Sequence, residues 1–370
     1  MLLHKSVEFD SRVRREAATL AEAGHQVTVL ELARVPAGVS TLDGFARRSV
    51  LPSLLVRRLL PFHAYRVAFL LRFIREIVRL RSDVVHAHDA AMLLPGVIGA
   101  RLTGAKLVYD SHELAASVPY RERAWSWFVS TIERLVVPRC DAVVTVSDGI
   151  ARRLQESYRL SRRPAVVRNV SALAADGRSG LRARLGLDTD ASVVLHQGAP
   201  APARGCELLV RAVARLKHVT LVFLGDPEPG YGTILRAEIA RLGISARVFM
   251  LPSVPLRDLL AHTAEADVGV TLLEDTCENH RLALPNKLFE YVATEVPVVA
   301  SDLPECRRLV EDHGIGWTVA PGDEEALADA LRAALSRSSS SAVRAKLAEA
   351  ARTLTWPSER ERLIAVYDAL

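Results

Sequence analysis

The chain has 370 residues, enough for two domains of ordinary size. Its composition, 49% hydrophobic and 25% charged, is typical of a soluble globular protein, and an aromatic content of 5% argues against a stacking surface for nucleic acid. The net charge of +5 permits anionic partners without identifying them. Four widely spaced cysteines, no signal-like N-terminus and no apolar run of roughly 18 residues predict a protein of the reducing cytoplasm.

The N-terminal half alternates predicted helices and strands, as a parallel α/β sheet does. After a short apolar start, the predicted elements are a helix 11–23 ended by Gly24, a strand 26–32, a helix 67–80, a strand 83–86, a helix 90–102, a strand 106–109, a helix 125–137, a strand 142–146, a helix to residue 158 capped by Ser147, and a strand 165–168. They predict one doubly wound domain over residues 1–170.

An arginine-rich segment lies in this half. Nine arginines and a single acid, Glu76, lie between Arg47 and Arg81 and are interleaved with apolar residues. The pattern suits a basic amphipathic face that binds an anionic membrane surface. It equally suits a pair of surface helices whose arginine stems cover apolar surface.

The second half repeats the alternation after a predicted linker at 171–190. Its predicted elements are strands 193–196, 219–224, 248–250, 268–272 and 296–301, helices 206–216, 232–242, 256–263 and 286–294, and a terminal helix near 356–370. They predict a second doubly wound domain over residues 191–353. Ligands of such sheets bind at the carboxyl ends of the strands.

Residues 282–302, LALPNKLFEYVATEVPVVASD, are the most informative segment. A helix that starts at Pro285 offers free N–H groups to phosphate. Lys287 and Glu290 are three residues apart and share a helix face, which places a cation near the phosphates and an acceptor near a ribose diol. The alternative is an ordinary helix and strand with solvated charges. Glu295 stands where glycine commonly ends a helix, which predicts a positive φ.

This segment resembles the donor-site signature of the retaining family 4 glycosyltransferases. Four more stretches resemble the family: DSRVRREAATLAEAGHQVTVL (10–30), QGAPAPARGCELL (197–209), LGDPEPG (224–230) and RVFMLPSVPLRDL (247–259). The resemblance implies the GT-B architecture, in which two Rossmann-like domains face each other across a cleft and a C-terminal helix, here 354–370, crosses back to the first domain. It implies transfer of a sugar from a UDP- or GDP-type nucleotide sugar to an acceptor hydroxyl, with retention and without a metal or cofactor.

The resemblance also implies roles for individual residues. The implied catalytic residues are His112, Arg204 and Lys287. The implied donor-binding residues are Gly198, Arg204, Met250, Pro285, Asn286, Lys287, Leu288 and Glu290. The implied acceptor-binding residues are Asp10, Arg12, His88 and Glu113. We predict no metal site at His86 and His88, because no third and fourth ligands with fixed spacing are evident.

Two positions depart from the family pattern. Ala199 replaces an arginine that normally clamps the diphosphate, and Leu282 replaces a glutamate that meets the sugar in relatives. Glu278, Asn279 or His280 is a candidate replacement for that glutamate, and backbone contacts are another. These departures leave a non-catalytic sugar-nucleotide binder open as an alternative. A nucleotide-sugar epimerase, which shares this architecture, is a second alternative; it would require additional acid/base carboxylates in the cleft, and no clear set is evident. The acceptor is open among polysaccharides, glycolipids and natural products.

Overall fold

A computed structural model of the chain describes residues 1–33, 39–50, 62–117, 123–171, 177, 179–188 and 190–370. The chain divides into two compact units. Unit 1 contains residues 1–168 and 359–370, and unit 2 contains residues 169–358. Residues 51–61 of the arginine-rich segment, and residues 172–176, 178 and 189 of the predicted linker, lie outside the described residues.

In the described part of unit 1, eight strands form one sheet in the order β3-β4-β2-β1-β5-β6-β7-β8. The strands are β1 (Leu2–Leu3), β2 (Thr28–Glu31), β3 (Val39–Leu42), β4 (Phe45–Ser49), β5 (Val84–His88), β6 (Lys106–Ser111), β7 (Ala142–Thr145) and β8 (Ala165–Val166). The helices are α1 (Ser11–Glu22), α2 (Phe62–Leu80), α3 (Ala90–Thr103), α4 (Arg123–Val136) and α5 (Asp148–Tyr158).

Local signals explain several of these boundaries. Gly24 follows α1 with φ +94, as expected for a glycine after a helix. The Ser147 hydroxyl accepts a hydrogen bond from the Ile150 N–H and caps α5, as predicted. The β3–β4 hairpin was not predicted. It is antiparallel and turns at Asp43 and Gly44, which both have positive φ, the combination that a two-residue hairpin turn requires.

In the described part of unit 2, six strands form a fully parallel sheet in the order β11-β10-β9-β12-β13-β14. The strands are β9 (Ser192–Gln197), β10 (Val219–Leu224), β11 (Val248–Leu251), β12 (Val268–Thr271), β13 (Val298–Ser301) and β14 (Gly316–Val319). The helices are α6 (Leu181–Arg184), α7 (Cys206–Ala214), α8 (Tyr231–Arg241), α9 (Leu256–Thr263), α10 (Glu278–Leu282), α11 (Asn286–Ala293), α12 (Pro304–His313), α13 (Glu324–Arg337) and α14 (Ser341–Thr353). A terminal helix at Trp356–Asp368 begins in unit 2, and its residues from 359 onward belong to unit 1.

The strand order of unit 2 reverses direction between β9 and β12. In doubly wound sheets this reversal point opens a crevice at the carboxyl ends of the strands, where ligands bind. The predicted α/β fold of two doubly wound sheets is confirmed. Among the described residues, none of the helices combines the length and hydropathy needed to cross a bilayer.

Candidate nucleotide-sugar site and a buried polar network

Tyr291 of helix α11 contacts both strands at the reversal point of the unit 2 sheet. The Tyr291 hydroxyl lies 3.0 Å from the carbonyl oxygen of Leu195 in β9 and 3.2 Å from that of Val270 in β12. It accepts a hydrogen bond from the Gln197 N–H at 3.1 Å. Gly269 makes room for the ring, because a Cβ atom there would lie 2.4 Å from Tyr291 Cδ1. The side chains at the start of α11 are therefore held at the crevice of the sheet.

Glu290 is held in place by the last residue of β9. The Gln197 side-chain amide donates a hydrogen bond to Glu290 Oε2. The orientation of that amide is fixed in turn, because its oxygen accepts a 2.7 Å hydrogen bond from the Thr263 hydroxyl. Gln197 is buried, whereas Glu290 is only half-buried. The arrangement positions an acceptor at the edge of the crevice before any ligand arrives.

Lys287 lies over the strand end beside Glu290. Its Nζ is 3.4 Å from His196 Nε2 and 3.9 Å from where a Cβ of Gly198 would be. Burial, followed by the neighbouring Arg204 guanidinium, lowers the pKa of Lys287 to about 8. Burial and the two cations, Lys287 and Arg204, hold the pKa of His196 well below its ordinary value. Lys287 therefore stands beside a neutral imidazole and a second cation, an environment that favours an anionic ligand.

Arg204 is exposed just before helix α7. Within the described part of the chain, no carboxylate forms a salt bridge with its guanidinium. The positive charges of Arg204 and Lys287 repel each other. Arg204 lowers the pKa of Lys287 by more than Glu290 raises it. Such a pair is stabilised when a diphosphate binds between or beside the two cations.

The loops that follow β9 and β10 are packed against each other. Gly225 has φ +150, and a Cβ there would lie 2.6 Å from the Gly198 carbonyl carbon. Asp226, which follows in the predicted turn, exchanges hydrogen bonds with Ser253: its N–H reaches the Ser253 hydroxyl at 3.2 Å and its carboxylate accepts the Ser253 N–H at 3.2 Å. Asp226 therefore ties two loops together.

Unit 1 contains a buried polar network centred on Arg12 and Asp110. The guanidinium of Arg12 makes two hydrogen bonds of 2.9 Å to the Asp110 carboxylate and one of 2.6 Å to the Val167 carbonyl oxygen. Its Nε also lies 3.0 Å from Glu16 Oε1. Arg12, Glu16 and Asp110 are at most 2% exposed. A direct contact between Arg12 and an acceptor, as predicted from the resemblance, would require this network to open.

His112 lies between two carboxylates. Its Nε2 is 3.1 Å from Asp110 Oδ2, and its Nδ1 is 3.4 Å from Asp89 Oδ2. Burial alone would lower the pKa of His112, but Asp89 and Asp110 outweigh it and raise the pKa to about 9. His112 is therefore an imidazolium at neutral pH. The backbone of Asp89 has φ +62, a strained value for a residue other than glycine. Such strain concentrates at functional sites.

The remaining predicted residues of unit 1 surround this network. Asp10 caps α1, accepting the Val13 N–H at 3.0 Å, and pairs with Lys5 at 2.9 Å. Burial would raise its pKa, but His112 and Lys5 lower it to about 2. His88 is fully buried and stacks on His86 with ring centroids 4.2 Å apart, as residues two apart on one face of a strand can. Glu113 is half-buried, and its carbonyl oxygen accepts the Ser111 hydroxyl at 2.9 Å.

Two family models match the chain. The Glycosyltransferase Family 4 model matches residues 11–170, and the Glycosyl transferases group 1 model matches residues 191–337, so that together they match more than four fifths of the chain. The chain belongs to glycosyltransferase family 4. The resemblance seen in its sequence motifs is thereby confirmed.

Relatives and solved structures agree with this family 4 assignment. Two D-inositol 3-phosphate glycosyltransferases are similar: the one from Geodermatophilus obscurus is 28% identical over 313 residues, 78% of this chain, and the one from Mycolicibacterium paratuberculosis is 29% identical over 300 residues, 77% of this chain. The matches span 66% of each relative's own length, just under two thirds.

Among solved structures, sucrose-phosphate synthase from Thermosynechococcus elongatus matches with a TM-score of 0.79 and 18% identity, over 99% of this chain and 98% of that one. HepE from Anabaena, solved in complex with UDP-glucose, matches with a TM-score of 0.76 and 17% identity, over 100% of this chain and 99% of that one. The predicted GT-B fold is therefore confirmed.

The predicted donor-binding residues of this family 4 chain differ in burial and in their contacts. Lys287 and Glu290 meet the end of β9. Leu288 is fully buried, so only its backbone could reach a ligand. Pro285 precedes the first helical residue and has no side-chain cap to offer, whereas the prediction placed it in the first turn. Asn286 is exposed and accepts a 2.8 Å hydrogen bond from Asn169 through its side chain. Met250 is half-buried in β11, beside Phe223 of β10.

Sequence reasoning missed residues that organise both regions. In unit 2 these are His196, Gln197, Thr263 and Tyr291, and in unit 1 they are Glu16, Asp89 and Asp110. The position of His196 and Gln197 at the end of a predicted strand, directly before Gly198, was a usable signal. Of the candidates proposed to replace the carboxylate missing at Leu282, His280 has its Nδ1 2.8 Å from the Glu274 carbonyl oxygen, and Asn279 is buried.

Proposed function

We propose that this protein is a retaining glycosyltransferase that moves a sugar from a UDP- or GDP-type nucleotide sugar to an acceptor hydroxyl. The cation pair Lys287 and Arg204 carries the proposal. The two groups repel each other beside a strand end at the reversal point of the sheet, where a diphosphate would neutralise both. Among the described residues neither cation forms a salt bridge with a carboxylate, which a purely structural role would favour.

The arrangement beside the cation pair supports a nucleotide donor in particular. Glu290 lies one helical turn beyond Lys287 and is oriented by Gln197, so it can accept hydrogen bonds from the two hydroxyls of a ribose. The uncapped N-terminus of α11 adds N–H groups that favour phosphate oxygens. The cations and the helix start therefore match the diphosphate of a nucleotide sugar, and the Glu290 carboxylate beyond them matches its ribose.

The proposed chemistry uses electrostatic stabilisation of the leaving group. As the bond between the sugar and the phosphate breaks, negative charge gathers on the diphosphate, and Lys287 and Arg204 stabilise that charge. The acceptor hydroxyl then enters on the face that the diphosphate left, which retains the anomeric configuration without a protein nucleophile. His112, an imidazolium at neutral pH, is the proposed unit 1 residue of the transfer step. Neither a metal ion nor a cofactor is needed in this scheme.

The relatives suggest where to start with substrates. HepE of Anabaena was solved with UDP-glucose, and the two relatives described above are D-inositol 3-phosphate glycosyltransferases. UDP-glucose is therefore the first donor to test, and D-inositol 3-phosphate the first acceptor. Leu282 and Ala199 depart from the family pattern at the donor sugar and phosphate positions, so other nucleotide sugars are tested next. Polysaccharide, lipid-linked and natural-product acceptors follow D-inositol 3-phosphate.

A panel of UDP-, GDP-, dTDP- and ADP-sugars tests the proposal. Slow release of nucleotide by hydrolysis, lost in Lys287→Met, supports transfer. A new sugar nucleotide without hydrolysis would instead support the epimerase, and saturable binding without turnover would support a non-catalytic binder. With an acceptor in hand, the anomeric proton coupling of the product tests retention, since an inverted product would refute the proposed geometry of attack.

The proposed location is the cytoplasm, at an anionic membrane surface. Helices α2 and α4 both pack against α3 and present apolar side chains to solvent. The exposed apolar residues are Val67, Leu71 and Val78 on α2 and Trp127, Phe128 and Leu135 on α4. Arg75 and Arg79 are exposed on the same stretch of α2. Apolar and basic side chains side by side fit the interface of a bilayer with anionic lipids.

Sedimentation with vesicles tests this surface. We expect binding to vesicles that contain phosphatidylglycerol, weaker binding to phosphatidylcholine alone, and loss of binding in Trp127→Gln and in the double variant Arg75→Gln, Arg79→Gln. Ile234, which is 58% exposed on α8 of unit 2, gives the matched control Ile234→Gln. Equal binding of all four proteins, or none by the wild type, would assign the arginines to ordinary surface helices.

A further inference from the structure

Four buried polar side chains converge inside unit 1. Glu16 comes from α1, His86 and His88 from β5, and Asp110 from β6. One potential ligand atom of each lies within 4.8 Å of those of the others. All four residues are at most 1% exposed. Bulk water therefore does not solvate these groups in the folded protein.

Several atoms of this cluster have no hydrogen-bond partner among the described residues. They are both carboxylate oxygens of Glu16, Nε2 of His86 and Nε2 of His88. Arg12 Nε lies 3.0 Å from Glu16 Oε1, but its single hydrogen is directed to Asp110. Buried polar atoms without a partner are rare in folded proteins, because the lost hydration is not recovered. The cluster therefore calls for an occupant that accepts lone pairs.

Both histidines are anchored through the opposite ring nitrogen. His86 Nδ1 lies 2.8 Å from the Tyr367 hydroxyl. His88 Nδ1 lies 3.2 Å from His112 Nε2 and 3.3 Å from Asp110 Oδ2, so with His112 as an imidazolium both rings direct an N–H to the Asp110 carboxylate. A proton on each Nδ1 leaves Nε2 as a lone-pair donor. Histidines that bind metals are commonly held in this way, by a carboxylate or another oxygen on the nitrogen that does not face the metal.

We propose that Glu16, His86 and His88 bind a divalent transition metal, with Zn²⁺ the best fit, and that Asp110 orients His88. Two imidazoles and one carboxylate form a ligand set that suits Zn²⁺ and leaves a fourth position for water. Hard cations such as Mg²⁺ prefer oxygen ligands throughout. Asp110 is already engaged by Arg12 and His112, which leaves Glu16 as the carboxylate for the metal.

The proposed metal is structural. It would join α1 to β5 and, through Tyr367, stabilise the docking of residues 359–370 within unit 1. Its occupancy is measured without substrate, so the test is independent of the proposed sugar transfer. The spacing of His86 and His88 in the sequence provides two ligands only, and Glu16 joins them through the fold.

The test uses tag-free full-length protein stripped with a chelator and then dialysed against Zn²⁺. We expect one Zn²⁺ per chain by mass spectrometry of the metal content, a higher Tm with Zn²⁺ than without, and, with Co²⁺, the visible absorption of a four-coordinate site. Glu16→Gln, of nearly equal size, should lose the metal. The control His218→Asn changes an exposed histidine outside the cluster and should keep it.

A second variant keeps all three ligands. Tyr367→Phe removes only the partner of His86 Nδ1 and should weaken Zn²⁺ affinity by about tenfold to a hundredfold. It also serves if Glu16→Gln does not fold. Substoichiometric metal, or Zn²⁺ binding that is unchanged in both cluster variants, would overturn the proposal and assign buried water to these atoms.

Discussion

The affinity of the protein for a nucleotide sugar should fall as the pH rises through about 8, because Lys287 loses its proton there. In the free protein, burial and Arg204 lower the pKa of Lys287 from 10.5 to about 8. A bound diphosphate places negative charge beside the ammonium and raises that pKa again. Because of proton linkage, the affinity does not change with pH below about 8 and falls as the pH rises above it.

The size of the effect follows from the difference between the two pKa values. If the diphosphate restored the ordinary value, the affinity would fall by up to about 300-fold, or about 3.4 kcal/mol. Lys287 is only half-buried, so water screens part of this interaction, and we expect a loss of about tenfold to thirtyfold. The stability of the free protein should change in the opposite direction. Between pH 8 and 10.5 the unfolded chain binds more protons at this lysine, so the free energy of unfolding gains from Lys287 as the pH rises.

Isothermal titration calorimetry with UDP-glucose between pH 7 and 9.5 measures the affinity. Lys287→Met should bind weakly at every pH and show no inflection. The same variant is the control for titration of the nucleotide base, which would affect both proteins equally. Lys287→Arg keeps a charge that does not titrate in this range and should bind with little dependence on pH. A wild-type affinity that stays constant to pH 9.5, or the same inflection in Lys287→Met, would refute the reasoning.

Three further predictions concern single side chains. The kcat of the wild type should fall as the pH rises through the His112 pKa of about 9. His112→Gln should lower kcat by about a hundredfold and abolish this fall; an unchanged pH profile at saturating donor would remove His112 from the transfer step. Glu290→Ala should weaken donor binding at least about tenfold, or about 1.4 kcal/mol, by calorimetry, while Glu349→Ala, an exposed control on α14, should not; equal affinities would exclude the ribose role. Gly269→Ala should reduce the free energy of unfolding by about 1–3 kcal/mol in urea, because its Cβ would clash with the Tyr291 ring; unchanged stability would show that the ring can move aside.

The sequence predicted the regular elements best where one physical signal dominated. The strand Val219–Leu224 is predicted to the residue because it is an apolar run, interrupted only by Thr220, between a turn and a glycine, and the structure buries all of it. The positive φ of Glu295, predicted from its place where a glycine is common, is observed at +55. The hairpin at 39–49 was missed although Asp43-Gly44 is a strong turn signal, because the flanking strands carry arginines and serines in place of an apolar alternation.

The sequence could point to candidate site residues only where they lie together on one short segment. Lys287 and Glu290 could be read from helix spacing alone. Gln197 and Thr263, which orient Glu290, come from other elements, and no local pattern links them to it. The cluster of Glu16 with His86 and His88 is a product of tertiary packing in the same way. Long-range pairing of polar groups requires the fold to be known first.

The order of the chain has a consequence for synthesis and for protein engineering. Unit 2 is one continuous stretch, so all of its residues have been synthesised before residue 359 is added. Unit 1 instead requires residues 359–370, and the His86 ring has no Tyr367 hydroxyl to contact until residue 367 has been synthesised. A truncation before Glu359 would leave the first-made unit unfinished, whereas Glu359 itself, 2% exposed and accepting the Arg168 N–H at 2.8 Å, marks where the returning segment joins it.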